Sequence, residues 1–194
     1  MPYLKEIVQY INDGLKVSVL TDARFSDALL HGISMPVVIE AKKTTIPGII
    51  SNDGEIKYVT PDDVNALSIY HRINGKGYSL SKDSVGESDN YLVEKIDMSM
   101  FVFGLQNKLE LSADQLETLL MAGFIDKIPK ADWQGLQIRK NIITLTSSNF
   151  NTKAIFTNEF QGVKYFLKPE HILFEIKYTI ENDFNKICFK KCDC

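Results

Sequence analysis

Cysteine is scarce and confined to one end of the chain: the three residues are Cys188, Cys192 and Cys194. A disulfide framework spread through the fold is therefore excluded, and the C-x3-C-x-C spacing does not match the paired ligands of a zinc ribbon or finger. The three histidines, at 31, 71 and 171, are too scattered to complete such a set. Residues 185–194 are thus expected to form a reduced tail, with no metal and no cofactor. Charge of one sign is missing too. Lys and Arg total 22 against 25 Asp and Glu, a formal net charge of −3, and the pI is near 5.7. Broad electrostatic attachment to nucleic acid or to an anionic membrane is not encoded in that average. Long apolar runs are absent as well: residues 98–105 are broken by Ser99 and Gly104, well short of the roughly 20 residues a membrane span requires. The opening MPYLKEIVQY carries Glu6 and lacks the basic-then-apolar order of a signal peptide, so a cytosol is the expected place of synthesis.

The usual signatures of chemistry are missing in the same way. There is no G-x-S-x-G, no P-loop and no G-x-G-x-x-G, and Gly75-Lys76-Gly77 is too short to cradle a phosphate. His71, in IYHRI, reads as a half-buried histidine with its hydrogen bonds met rather than as a base. The aromatic residues Phe101, Phe103, Phe150, Phe156, Phe160, Tyr165 and Phe166 lack interleaved arginine and read as core or subunit interface. The basic pairs Arg139-Lys140 and Lys190-Lys191 are the contrary features.

What is present organises around residues 91–124. Leu92, Glu94, Ile96, Met98, Met100 and Val102 share one face of a strand, and the period then changes to that of a helix. Ser112 is the expected N-cap, Gln115 closes a capping box, Leu111 staples onto Leu116, and Gly123 reads as the C′ stop. Residues 2–15 read as an amphipathic helix through Leu4, Ile7, Val8, Ile11 and Leu15, stopped by Asn12-Asp13-Gly14. Residues 17–20 read as a short strand and 22–30 as a helical turn or packed loop. Residues 36–41 and 46–50 are expected strands, and Asn52-Asp53-Gly54 a type I′ hairpin turn leading to a strand over 55–60. Residues 66–73 resume the pattern as another strand or a short helix, 79–91 read as a flexible loop or arm, and Trp133 lies in a mixed loop. Residues 136–147 read as strand. Asn151 reads as the cap of a short helix through Phe160, ended by Gly162, with a strand through Ala154-Ile155-Phe156 as the alternative, and residues 172–181 alternate as a half-buried antiparallel strand.

The sum is a single α+β domain over residues 1–194, a mostly antiparallel sheet of about seven to nine strands with two or three short helices. One catalytic pattern needs weighing. VVIEAKK places Glu40 and Lys42 as E-x-K on a predicted strand, resembling PD-(D/E)xK nucleases, in which an upstream Asp completes a Mg²⁺ site. Asp22 or Asp27 would supply it, with Glu6 assisting. Glu175-Ile176-Lys177 and Glu55-Ile56-Lys57 match equally well, so amphipathic strands generate this pattern readily. A cytosolic adaptor or immunity-type binding protein is a further alternative.

The order of elements, from LKEIVQYINDGL through β-hairpins and a strand-to-helix unit to a long terminal strand, resembles the α+β head-tail neck proteins of tailed bacteriophages. Tail terminators and tail-completion proteins are the nearest in style, and the sequence also resembles virion proteins of phages of Bacteroidetes. The resemblance covers most of the chain but rests on no motif, so it assigns no site residue. It implies a non-enzymatic virion protein, made in the bacterial cytoplasm, that forms a homo-oligomeric ring joining capsid connector to tail. In such rings the sheets of adjacent subunits join around a DNA channel and loops dock on neighbouring rings. Residues 79–91 would then be the arm on the adjoining ring, and the acidic balance would suit a channel that must not grip passing DNA.

Overall fold

The computed structural model describes residues 2–51, 54–82, 90–127 and 138–184. The chain opens with α1, Pro2–Ser18, whose Leu4, Ile7, Val8, Ile11 and Leu15 are all buried. The helix runs through Asn12-Asp13-Gly14, the expected stop. Asn12 turns inward, where its side-chain N–H donates to the His31 carbonyl at 2.8 Å, so it serves the core instead of ending the helix. Residues 17–20, expected as a strand, finish α1 and its C-terminal turn. A 3-10 turn over Ala23–Phe25 follows, capped by Asp22, which accepts from the Arg24 N–H.

Seven strands then build one mixed sheet: β1 Leu29–Ile39, β2 Thr44–Ile50, β3 Ile56–Tyr58, β4 Leu67–Lys82, β5 Asn90–Leu105, β6 Ile138–Asn149 and β7 His171–Phe184. Their order is β3-β2-β1-β4-β5-β7-β6. Every neighbouring pair is antiparallel except β1 with β4, which run parallel. The α+β reading thus holds, with one parallel join that local patterning does not announce. The β2–β3 turn is longer than a two-residue I′ turn: the Ser51 N–H donates to Glu55 O at 2.9 Å and the Gly54 N–H to Ser51 O at 3.0 Å. Asn52 and Asp53 lie outside the described residues.

Short α2, Gln106–Leu109, leads to α3, Ala113–Lys127, and α4, Thr152–Glu159, precedes β7. The expected capping box forms: Gln115 accepts from the Ser112 N–H at 2.9 Å and Ser112 accepts from the Gln115 N–H at 3.3 Å. Asn151 caps α4 by accepting from the Ala154 N–H, and Gly162, at φ +75°, lets the chain turn against β2 where a Cβ would lie 2.6 Å from Lys43 O.

The sheet separates two apolar cores. On one face α1 and α3 pack over Ile96, Met98, Met100, Val102, Phe174, Ile176 and Ile180. On the other, α4 and the segment after it bury Tyr70, Phe101, Phe103, Leu173, Phe156 and Phe160. β7 is therefore buried on both faces over most of its length, not half-buried, because it lies between β5 and β6 with cover above and below.

Two further expectations are corrected. Residues 79–91 are not one loop: β4 continues to Lys82 and β5 begins at Asn90, paired in register up to Lys82 with Asn90. The ladder is made by backbone groups, so the polar residues there do not interrupt it. Gly123 does not end α3 but lies inside it, where a Cβ would sit 2.1 Å from Val19 Cγ2 and 3.3 Å from Leu15 Cδ2. It is the point at which α3 approaches the end of α1. Trp133 and residues 185–194, with their cysteines, fall outside the described residues.

Gly123→Val is accordingly expected to lower unfolding stability by roughly 1–3 kcal/mol through overpacking, measured by urea denaturation. Val19→Ala in the same chain should recover part of that loss; a loss that Val19→Ala does not relieve would rule out this contact as its cause.

Candidate functional site

Among the described residues, Lys76, Glu94 and Asn182 form a polar cluster across β4, β5 and β7, and three further clusters lie in or against the cores. In the first, His71 on β4 is fully buried between α1 and β7. Its Nδ1 pairs with the Tyr178 hydroxyl at 2.9 Å and its Nε2 with Asn12 Oδ1 at 3.1 Å. Since Asn12 Oδ1 can only accept, Nε2 carries the proton and Nδ1 accepts from Tyr178. Burial lowers the pKa of this neutral ring to about 3. Ser34 adds a bond to the His71 carbonyl at 3.0 Å. Both ring nitrogens are engaged, so His71 ties α1 to β4 and β7 and has no nitrogen to offer a substrate.

The second cluster lies on the opposite face. Glu159, the last residue of α4, accepts from the Tyr70 hydroxyl at 3.2 Å and pairs with the Arg72 guanidinium, which also lies 5.6 Å from the centre of the Phe101 ring. Beside it, Asn74 donates to Ser99, Ser99 donates to Glu175, and Lys177 lies 4.0 Å from the other Glu175 oxygen. Burial pushes the Glu159 carboxyl up to about 7, opposed by the Arg72 charge and the Tyr70 hydrogen bond. Burial likewise raises the Tyr70 hydroxyl well above its ordinary range. Arg72 Nε is buried with no protein partner. The arrangement clamps α4 onto β4.

The third is a dyad at the sheet end, where His171 Nε2 and Asp63 Oδ1 are 2.8 Å apart. It resembles the base and orienting groups of a hydrolase, but Nδ1 accepts the Lys168 backbone N–H at 3.2 Å and Asp63 also pairs with Lys168 Nζ at 2.9 Å. With Nδ1 held by a backbone N–H, proton abstraction has no acceptor there.

The nuclease pattern is not assembled. Glu40 and Lys42 form a solvent-exposed 3-10 turn between β1 and β2 instead of a strand. Asp22 is held by Arg24 at 3.0 Å, Asp27 accepts from the Ala66 N–H, and Glu6 faces solvent on α1. Among the described residues, no group of three or more His, Cys, Asp or Glu side chains is placed to hold a metal.

The surface is more distinctive than the interior. β1 pairs with β4 only through Leu29 to Ser34 and then departs to pair with β2. Beyond Arg72, β4 therefore has no partner on that side among the described residues. This overhang carries Tyr78 and Leu80, which are 59% and 73% exposed. At the other margin, Val38, Ile50, Ile56 and Tyr58 are exposed on β1, β2 and edge strand β3. Between α1 and these strands lies a recess of about 550 Å³ lined by Lys5, Gln9, Gly32, Ile33, Ile49, Ile50, Ser51 and Lys57. It adjoins a smaller recess of about 230 Å³ that includes Leu4, Met35 and Ile73. Of the aromatic residues, Phe101, Phe103, Phe156 and Phe160 are core, while Phe150, Tyr165 and Phe166 are exposed. Sequence alone missed the margins because exposure depends on which strands run out of partners. Among the described residues, no helix is long and apolar enough to cross a membrane. Neither a family model nor a curated protein sequence matches the chain.

Two measurements test the interior assignments. Glu159 keeps its proton to a higher pH in the fold than its ordinary 4.5, so its protonation favours folding. That contribution is complete below pH 4.5 and is lost as pH rises through about 7. The unfolding free energy of the native chain minus that of Glu159→Gln should fall across this window and level off above it; a flat difference would refute the assignment. His71→Leu, which removes the ring nitrogens that pair with Asn12 Oδ1 and the Tyr178 hydroxyl, is expected to cost roughly 2–5 kcal/mol in urea unfolding, and a cost near zero would show that the network is dispensable.

Proposed function

We propose that this chain is a non-catalytic assembly subunit that associates with copies of itself, as a ring-forming component of the head-tail neck or tail of a tailed bacteriophage. The observation that carries the reading is the uncovered margin of the sheet. An extended sheet with exposed apolar side chains along an unpaired strand is a template for association, and a chain that does not use it has to blunt it. Here, among the described residues, β4 lacks a partner on its β1 side beyond Arg72, Tyr78 and Leu80 are exposed on it, and Ile56 and Tyr58 are exposed on edge strand β3. The buried polar clusters support the same reading, because their hydrogen bonds join elements of the fold to one another. The phage assignment itself rests on the resemblance in element order.

The partners on this reading are further copies of the chain and the neighbouring neck or tail layers, with at most non-specific contact to channel DNA. A net charge of −3 weakens any lasting hold on that DNA. The purified protein is expected to give a multimeric mass in solution and closed rings or stacked tubes by negative-stain microscopy. Ile56→Asp with Tyr58→Asp should shift that population toward monomer while leaving the circular dichroism spectrum unchanged. A protein that stays monomeric at high concentration and is absent from phage particles would overturn the proposal.

A further inference from the structure

We infer that the recess between α1 and β2–β3 is a binding site for an amphipathic organic anion, a carboxylate carried on an unbranched apolar chain. The inference goes beyond the self-assembly reading and does not rest on it. The recess of about 550 Å³ shares Lys5, Ile33 and Ile50 with the smaller one of about 230 Å³, so the two form one groove. Its size lies within the roughly 300–1,000 Å³ usual for a small-molecule site. The described lining divides by chemistry. Ile33, Ile49 and Ile50 are joined in the smaller recess by Leu4, Met35 and Ile73. The charged side chains are Lys5 from α1 and Lys57 from β3, with no Asp or Glu among the described lining. Neither lysine has a carboxylate within ion-pair reach among the described residues. The neutral polar side chains are engaged elsewhere, Gln9 with Asp13, Ser34 with the His71 carbonyl and Ser51 with the Glu55 carbonyl.

Charge and apolar surface together select the ligand. Two ammonium groups lining one recess favour an anion there and disfavour a cation. Each sits on a flexible stem and meets an oxyanion as a point charge, so a carboxylate is held without one fixed docking geometry. A small inorganic anion leaves the isoleucine surface wet, and a neutral chain covers that surface without meeting the lysines. An anionic head on an apolar tail satisfies both. Aromatic side chains on which a base would stack are absent from the described lining, so a nucleotide gains nothing there beyond its phosphate. Lys57 stands between Ile56 and Tyr58 along β3, and the alternation of a strand puts it on the opposite face from both. The groove is therefore distinct from the apolar margin that Ile56 and Tyr58 expose.

The test is titration calorimetry of the full-length chain with hexanoate, octanoate and decanoate, each kept monomeric and at low ionic strength. Affinity is expected to rise about fourfold per added methylene, the value for burying one CH₂ group, until the groove is filled. Octanol, which has the chain of octanoate without its charge, should bind about tenfold more weakly than octanoate. Octanoate should lose affinity by about the same factor on the Lys5→Gln, Lys57→Gln chain. Both lysines are exposed, so the replacement spares the fold, and an unchanged circular dichroism spectrum checks this. No saturable binding of decanoate, an affinity indifferent to chain length, or octanoate binding indifferent to the lysine replacements would each overturn the inference. Attachment to phosphatidylglycerol vesicles without binding of monomeric decanoate would overturn it as well, since the lysines would then face a membrane surface and not a single ligand.

Discussion

β4 and β5 each run for 16 residues, about 54 Å at roughly 3.4 Å per residue. The helices available to cover them, α1 with 17 residues and α3 with 15, span about 26 and 23 Å at roughly 1.5 Å per residue. A helical layer of that length buries about half of the sheet whatever its sequence. The cores therefore concentrate where β4, β5 and β7 cross beneath α1 and α3, with α4 behind them. The remainder of β4 and β5 extends past that cover, held by its backbone ladder together with side-chain pairs such as Lys76 with Glu94 and Asn182 with Glu94.

Within the covered half, polar side chains do what apolar packing does not: they select one arrangement. Hydrophobic burial is non-directional, and a helix can slide along a sheet with little loss of apolar area. The bonds from Asn12 to His71 and to the His31 carbonyl permit α1 one position over β1 and β4. On the opposite face, Glu159 does the same for α4 by engaging Tyr70 and Arg72 at once. Displacing either element leaves buried groups unpaired, at about 1–3 kcal/mol each.

Features with local causes were legible in the sequence. The capping box of Ser112 and Gln115, the Asn151 cap, the alternation along β5 and β7 and the apolar stripe of α1 depend on neighbours a few residues away. Features decided by distant neighbours were not. Gly123 carries the signature of a helix stop, but it is small because Val19 lies against it. Asn12 looks like a breaker until His71 is brought beside it. Glu40 and Lys42 look like strand residues, yet the chain must reverse there for β1 to pair with β2. The polar run after Ser79 reads as loop because side-chain patterning is blind to a ladder built from backbone. The candidate surface was the least legible part, since an exposed Leu80 and a buried Leu120 differ only in what the rest of the chain places over them.

The single parallel pairing sets an order on folding. β4 and β5 are joined by a short connection, but β1 meets β4 between residues as distant as Leu29 and Ser68, and closing so long a loop is entropically slower than zipping a hairpin. Amides of β1 to β3 are therefore expected to gain protection from exchange after those of β4 and β5 during refolding. The recess between α1 and these strands has β1, β2 and β3 as one of its walls, so it exists only once that late pairing is made.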